Sequence, residues 1–202
     1  MQNRVPLIIS GKGITEKGKI TNAFTFVTDI TPTILEIAGV KPHQGNYQGR
    51  RVEPIVGKSL LPLAKGEVGR IYSEDDAVGY ELGGNAALFK GDYKIVKDRG
   101  PVGDNQWHLF NIVTDPGETK DLKKEMPKRF SDMMAAYRIY AADNKVLPVA
   151  EDYDQIKEVR NYSIRTQVKA HLPIYVTVVI VIIALSGFLI IRWFLFRRKN
   201  DT

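Results

Sequence analysis

The chain contains no cysteine. That excludes disulfides, thiolate metal sites and cysteine nucleophiles, and it is compatible with an oxidising compartment. Histidine is scarce: His43, His108 and His171 stand far apart, so no imidazole pair at metal-ligand spacing is written into the sequence. A phosphate-binding loop is missing too, because Gly11-Lys12-Gly13 lacks the required spacing. There is no stripe of Lys and Arg interleaved with aromatics in residues 1–171, which argues against a nucleic-acid surface. Neither an internal repeat nor a low-complexity tract is found.

What the chain does have is one uninterrupted apolar block. Residues 172–191, LPIYVTVVIVIIALSGFLII, carry no charge over 20 positions. As a helix such a run is about 30 Å long, the thickness of a bilayer's hydrocarbon core. Few core helices of soluble domains stay apolar on every face for that length, so the block reads as a transmembrane helix over residues 172–196. Its place near the end of the chain is wrong for a signal peptide. Arg192, Arg197, Arg198 and Lys199 crowd the far side, whereas Lys169 and His171 are the nearest basic groups before it. Positive charge favours the cytoplasm. The expectation is therefore a single-pass protein with residues 1–171 periplasmic or extracellular and a basic cytoplasmic tail at 197–202. Tyr175 and Trp193 suit the two headgroup regions, and Arg192 can snorkel. About half of the formal net charge of +6 belongs to this tail together with Arg192, so the basic excess reports topology rather than an anionic polymer.

Ahead of the apolar block the periodicity changes several times. Residues 5–9 are a short apolar run, the mark of a strand covered on both faces. Asp29 or Thr31 can cap a helix with Pro32 in its first turn and Gly39 at its end, and residues 25–27 have slight strand character. Residues 41–56, rich in Gly and polar groups, read as loop, and residues 57–65 as a short helical turn. Residues 86–89 and 93–96 flank Lys90-Gly91-Asp92, a hairpin signal, and residues 107–112 supply a further strand. Met126, Phe130, Met133, Met134, Tyr137, Tyr140 and Ala141 then recur at helical spacing behind Pro127. Residues 150–171 form a charged juxtamembrane linker, compatible with helix.

Several of these segments together resemble the arylsulfatase branch of the sulfatases: RVPLIIS at residues 4–10, FTFVTDITPTILEIAGV at 24–40, VGKSLLPLAKGE at 56–67, YELGGNAALFKGDYKIVK at 80–97 and WHLFNIVTDPGETKDL at 107–122. The resemblance covers residues 4–153 and concerns the C-terminal portion of such proteins. It implies the fold class: an α/β remnant of an alkaline-phosphatase-like domain over residues 1–45, carrying its last strand and helix. A small α+β subdomain would follow over 46–149, an antiparallel sheet with one amphipathic helix, then the linker and the C-terminal transmembrane helix.

The resemblance also implies what to look for chemically. Sulfatases attack with a formylglycine made within a Cys/Ser-x-Pro-x-Arg motif, and they hold a divalent cation, usually calcium. None of Ser10, Ser59, Ser73, Ser131, Ser163 and Ser186 is followed by Pro at the second and Arg at the fourth position. The family's metal-binding positions map ahead of Arg4. No catalytic, cofactor-binding or metal residue is therefore carried over to this chain, and calcium is an expectation for the full-length family enzyme. Loss of the nucleophile alone removes about four to six orders of magnitude in rate. The expected function is thus a C-terminal fragment of a membrane-anchored arylsulfatase-like sulfuric-ester hydrolase, inactive alone, with the lipid bilayer and an upstream catalytic fragment as partners and no nucleic acid. Two alternatives stand beside it: a non-catalytic membrane-tethered interaction module, and the tail of a related phosphoesterase.

Other chemistry-bearing residues have plainer readings. Glu74, Asp75 and Asp76 have the oxygen ligands of a hard cation, yet adjacent carboxylates are commonplace in solvated loops. Asp115-Pro116-Gly117-Glu118 has the form of a turn. His108, within an apolar strand, is expected to be a hydrogen-bonded edge residue rather than a base. By the resemblance, residues 80–85 face the mouth of the family's active-site cleft.

Overall fold

The computed structural model describes residues 5–14, 18–101 and 103–200, with side chains described as far as Arg192. The chain divides into two compact units, 1–148 and 149–202. In the first, a 3-10 turn, Val27–Asp29, leads into α1, Ile30–Ile37. A miniature hairpin follows, β1 (Asn46–Tyr47) and β2 (Arg50–Arg51), and then the short α2, Leu61–Ala64. Next come β3 (Ala77–Leu82), β4 (Asn85–Lys90), β5 (Tyr93–Lys97), β6 (Trp107–Asn111) and α3 (Pro127–Asp143).

Strands β3 to β6 form one antiparallel meander in sequence order. The β4–β5 turn is as tight as the sequence suggests. Lys90 pairs with Tyr93 across a two-residue loop whose Gly91 has φ +58°, a left-handed conformation that costs glycine little. Alternation sorts the side chains. Leu88, Ile95 and Leu109 point to one face and are fully buried with Met133 of α3. Phe130, Met134, Tyr137 and Tyr140 of α3 pack around them, so the helical spacing read from the sequence is the packing stripe. Pro127 opens this helix, where its missing N–H costs nothing.

The opposite face is covered by two different pieces of chain. Phe24 and Phe26 lie against Phe89, with ring centroids 4.8 and 6.4 Å away, and Tyr72 meets Phe24 edge-on at 5.4 Å. Over β5 and β6 the cover is the loop segments after each strand, and one long side chain disappears beneath it. Lys94 is completely buried and forms a 2.7 Å ion pair with Glu118, its Nζ lying 5.5 Å from the centre of the Phe89 ring.

Several expectations are corrected. Residues 5–9 are not a strand: they have no ladder partner, and Val5 and Ile8 stand 84% and 88% exposed. A doubly covered strand needs neighbours on both edges and both faces, and the described residues supply none for it. Residues 25–27 likewise run into the 3-10 turn instead of forming a strand. The segment 41–56 contains the β1–β2 hairpin, stabilised where Val52 N–H donates to the Gly45 carbonyl at 3.1 Å. Strand β3 was not foreseen. Its Gly79 hides the strand signal, and the reason for that glycine is spatial: a Cβ there would lie 2.5 Å from the Tyr140 ring of α3.

In the second unit, α4 runs unbroken over Gln155–Asn200, so most of the juxtamembrane linker continues the apolar helix. Pro173 sits inside it. Thr166, Thr177 and Ser186 turn their hydroxyls back to the carbonyls four residues earlier, at 2.8–2.9 Å, which leaves no side-chain donor facing outward from those positions. The stretch Gln155–Arg192 is long and apolar enough to cross a membrane and is exposed along its length. The roles read for Trp193, Arg197, Arg198 and Lys199 fall outside the described side chains, and Arg4 falls outside the described residues.

Candidate functional site

The most tightly built polar centre of the first unit is Asp29, fully buried at the entrance to α1. Its Oδ2 accepts the Phe26 N–H at 2.7 Å, and its Oδ1 accepts both the Lys58 N–H at 2.8 Å and the Tyr72 hydroxyl at 2.5 Å. One turn on, the Thr33 hydroxyl donates to the Asp29 carbonyl at 2.6 Å and accepts the Leu60 N–H at 2.8 Å. These bonds fasten α1 to the turn that precedes α2. The turn can approach only because residue 57 is glycine. A Cβ at Gly57 would lie 2.5 Å from the Thr28 carbonyl oxygen, and its φ of +97° is unfavourable for any side chain. Burial, and then the bond to Asp29, hold the Tyr72 hydroxyl well above the ordinary phenol range, so it stays a donor.

The acidic run separates in space. Asp76 accepts the Lys58 ammonium and the Ser73 N–H, each at 2.6 Å, and these contacts depress its carboxyl to about 2. Glu74 pairs instead with Arg70 at 2.7 Å, and Arg70 also reaches Asp92 at 3.0 Å. Asp75 is exposed. The three carboxylates thus serve loop closure rather than one shared ligand site. Asp115 caps the turn after β6, accepting the Thr119 and Lys120 N–H groups at 2.8 and 2.9 Å, while Glu118 goes inward to Lys94. Lys94 as a buried cation is not legible in the sequence: its alternation with Tyr93 and Ile95 in YKIVK puts it on the face opposite the core, and its burial depends on Glu118, 24 residues on.

His108 lies on the edge strand β6, as expected of it. Its Nδ1 is 2.8 Å from Asp121 and its Nε2 3.0 Å from Asp104. The bond to Asp104, aided by that to Asp121, raises the imidazole pKa above its ordinary value. Val96, Asp98, Asp104, His108, Phe110 and Glu118 line a shallow cleft of about 300 Å³ here. With both ring nitrogens engaged by carboxylates, His108 is a poor general base. His43 has its Nδ1 buried without a hydrogen-bond partner, 5.4 Å ring to ring from Tyr47, and His171 lies in α4. Gly11-Lys12-Gly13 is an exposed turn. Residues 80–85 end β3 and turn into β4 through Gly83 and Gly84.

No group of three or more His, Asp or Glu side chains capable of holding a metal ion occurs among the described residues. Asp29, the most buried carboxylate, has both oxygens occupied by protein donors. The described residues do not fit a divalent cation.

No protein-family model matches the chain. It is 32% identical over 152 residues to an uncharacterized sulfatase of Schizosaccharomyces pombe, a match that takes in 74% of this chain and 27% of that protein. The chain therefore spans about a quarter of the length of this curated relative. Among solved structures, a 2-O GAG sulfatase is similar over 61% of this chain and 27% of its own, with a TM-score of 0.39 and 21% identity. A protein crystallised with k-i-k-neocarrahexaose is similar over 65% of this chain and 27% of its own, with a TM-score of 0.44 and 21% identity.

Proposed function

From the chain's membership of the sulfatase family, as a C-terminal portion, we propose that it is the membrane-anchored, non-catalytic tail of a sulfuric-ester hydrolase. In this reading the subdomain completes an upstream body that supplies the formylglycine nucleophile, the calcium ion and the groups that stabilise the sulfate oxygens. The chain's own contribution is a rigid seat and a tether.

The observation that carries the reading is a set of exposed apolar side chains in residues 5–8 and on α1. Val5, Leu7, Ile8, Ile34 and Ile37 are all exposed, at between 49% and 88%. Exposing such side chains forfeits about 1.5–3 kcal/mol each relative to burial. Meanwhile the Asp29 and Thr33 bonds fix the base of α1. An amphipathic helix pinned on its polar side and bare on its apolar side is what half of a larger interface requires. In the same reading α4 spans the bilayer, with the tail beyond Arg192 cytoplasmic and residues 1–171 outside.

A second reading has its own support: Leu88, Ile95, Leu109 and Met133 form a closed core within one subdomain, as an independent membrane-tethered interaction module requires. Amide exchange distinguishes the two. A polypeptide carrying a Cys-x-Pro-x-Arg motif and the family's acidic metal ligands is co-expressed with this chain. The tail reading expects co-purification and new protection of residues 5–10; unchanged exchange in that segment, with no association, favours the module.

A further inference from the structure

The half of α4 that precedes the apolar block carries a charge gradient. Glu151, Asp152, Asp154 and Glu158 gather at its start, where Asp154 Oδ1 accepts the Lys157 N–H at 3.0 Å and negative charge suits a helix N-terminus. Beyond Glu158 the acids stop. Positions 159–171 hold Arg160, Arg165, Lys169 and His171 and not one carboxylate.

Arg165 and Lys169 stand four residues apart on α4, so their side chains rise from one face, and both residues are exposed. Like charges at this spacing oppose helix formation. In the first unit an i,i+4 cation meets a carboxylate, as Arg70 meets Glu74 and Lys128 meets Asp132. No acidic residue lies within a turn of Arg165 or Lys169 along α4 to do the same. An anion held between them would replace the repulsion with charge-assisted hydrogen bonds.

The identity of that anion follows from height. At 1.5 Å per residue, Lys169 and Arg165 are rooted about 5 and 10 Å from Leu172, where the uncharged run begins, and Arg160 about 18 Å from it. A headgroup layer is roughly 5–8 Å deep, and its charge is felt about 8–10 Å further out. The Arg165–Lys169 pair therefore lies level with the lipid phosphates, and Arg160 at the limit of their reach. Ile156, Val159, Tyr162, Ile164 and Val168 are exposed on several faces of the helix, not one. This segment thus lacks the single apolar stripe of a helix lying flat on a bilayer, and suits one that rises through the headgroups.

We propose that Arg165 and Lys169 form a binding site for the phosphate of an anionic phospholipid, which fixes the depth of α4 in the leaflet that it enters. The inference rests on the reading of α4 as a membrane span. A zwitterionic headgroup balances its own phosphate, so the pair selects lipids of net negative charge.

The chain has no cysteine, so Leu172→Cys supplies a single labelling point level with the upper acyl chains. The full chain, carrying a fluorophore there, is reconstituted in phosphatidylcholine containing a small share of spin-labelled phosphatidylglycerol or spin-labelled phosphatidylcholine. The nitroxide sits near the headgroup end of the acyl chain, so quenching reads the lipids beside this end of the span. Expected is a local preference for the phosphatidylglycerol probe on the order of fivefold, weakening with salt. R165Q/K169Q should bring the ratio close to one, and R165K should keep it. K41Q/K124Q, which removes the same charge from exposed positions of the first unit, should leave it unchanged. Equal quenching by the two probes in the wild type overturns the proposal, as does a preference that survives in R165Q/K169Q. A preference abolished by inorganic phosphate at constant ionic strength overturns it as well, by assigning the pair to a free anion. Quenching by neither probe removes the spanning reading and this inference together, whereas equal quenching by both removes this inference alone.

Discussion

The Tyr72 hydroxyl and the Asp29 carboxylate, 43 residues apart, meet in a 2.5 Å hydrogen bond inside the first unit. That bond joins the segment before β3 to the entrance of α1, while Phe24 and Phe26 lie on Phe89 of the sheet. A buried carboxylate with three donors is stable only while all three are present. Removing Asp29 leaves the Phe26 and Lys58 N–H groups and the Tyr72 hydroxyl without an acceptor, at about 1–3 kcal/mol each. Asp29→Ala is therefore expected to destabilise by about 3 kcal/mol or more and Tyr72→Phe by about 1 kcal/mol, read from urea melts of the two variants. Equal small losses would show that Asp29 does not organise this region.

Gly57→Ala tests the same joint from the other side. The added methyl meets Thr28 backbone at 2.5 Å and the residue keeps a positive φ, so neither rotamer change nor side-chain movement relieves the clash. The expected cost is about 1–3 kcal/mol, with faster amide exchange at Lys58. Gly49→Ala, where nothing lies within 4 Å, is the comparison and should cost less.

Lys94 and Glu118 form the buried ion pair of the β5 face. Truncating either partner strands a charge, so Lys94→Met or Glu118→Gln alone should cost about 3–5 kcal/mol. Replacing both should recover most of that loss, because two desolvation penalties vanish together. A double-mutant cycle measures the coupling; additive losses would mean that the pair acts as two independent groups.

His108 gives the unit a pH dependence with a definite sign. Its pKa is raised in the folded state, so the protonated form is favoured by folding. The stability it contributes is complete below the ordinary imidazole pKa and fades as pH rises through the elevated one. Asp76 behaves oppositely: depressed to about 2, it contributes above the ordinary carboxylate range, and that contribution fades as pH falls toward its folded value. Melting temperatures of wild type and His108→Gln across that upper window should converge at alkaline pH and separate at mildly acidic pH. Parallel curves would contradict the His108 assignment.

The elements that the sequence revealed are those whose signal is local. Lys90-Gly91-Asp92 spells its own turn, and the stripe from Met126 to Tyr140 spells its own buried face. What escaped depends on contacts made far along the chain. β3 was obscured by Gly79, whose reason is the Tyr140 ring of α3, and Lys94 could be recognised as buried only once Glu118 was seen above it. The opposite error at residues 5–9 has the same root, since an apolar run predicts a covered strand only if its neighbours are present. The Asp29 centre was legible only as a helix cap; its other partners are Lys58, in the helical turn read over 57–65, and Tyr72, in a stretch that carries no local signal, and neither position points to Asp29.

The most direct measurement of the central claim is turnover of a chromogenic aryl sulfate by the purified chain with calcium added, stripped of contaminating esterases. No release of the aryl alcohol above buffer is expected. Release that scales with the concentration of this chain and survives rigorous purification would contradict it.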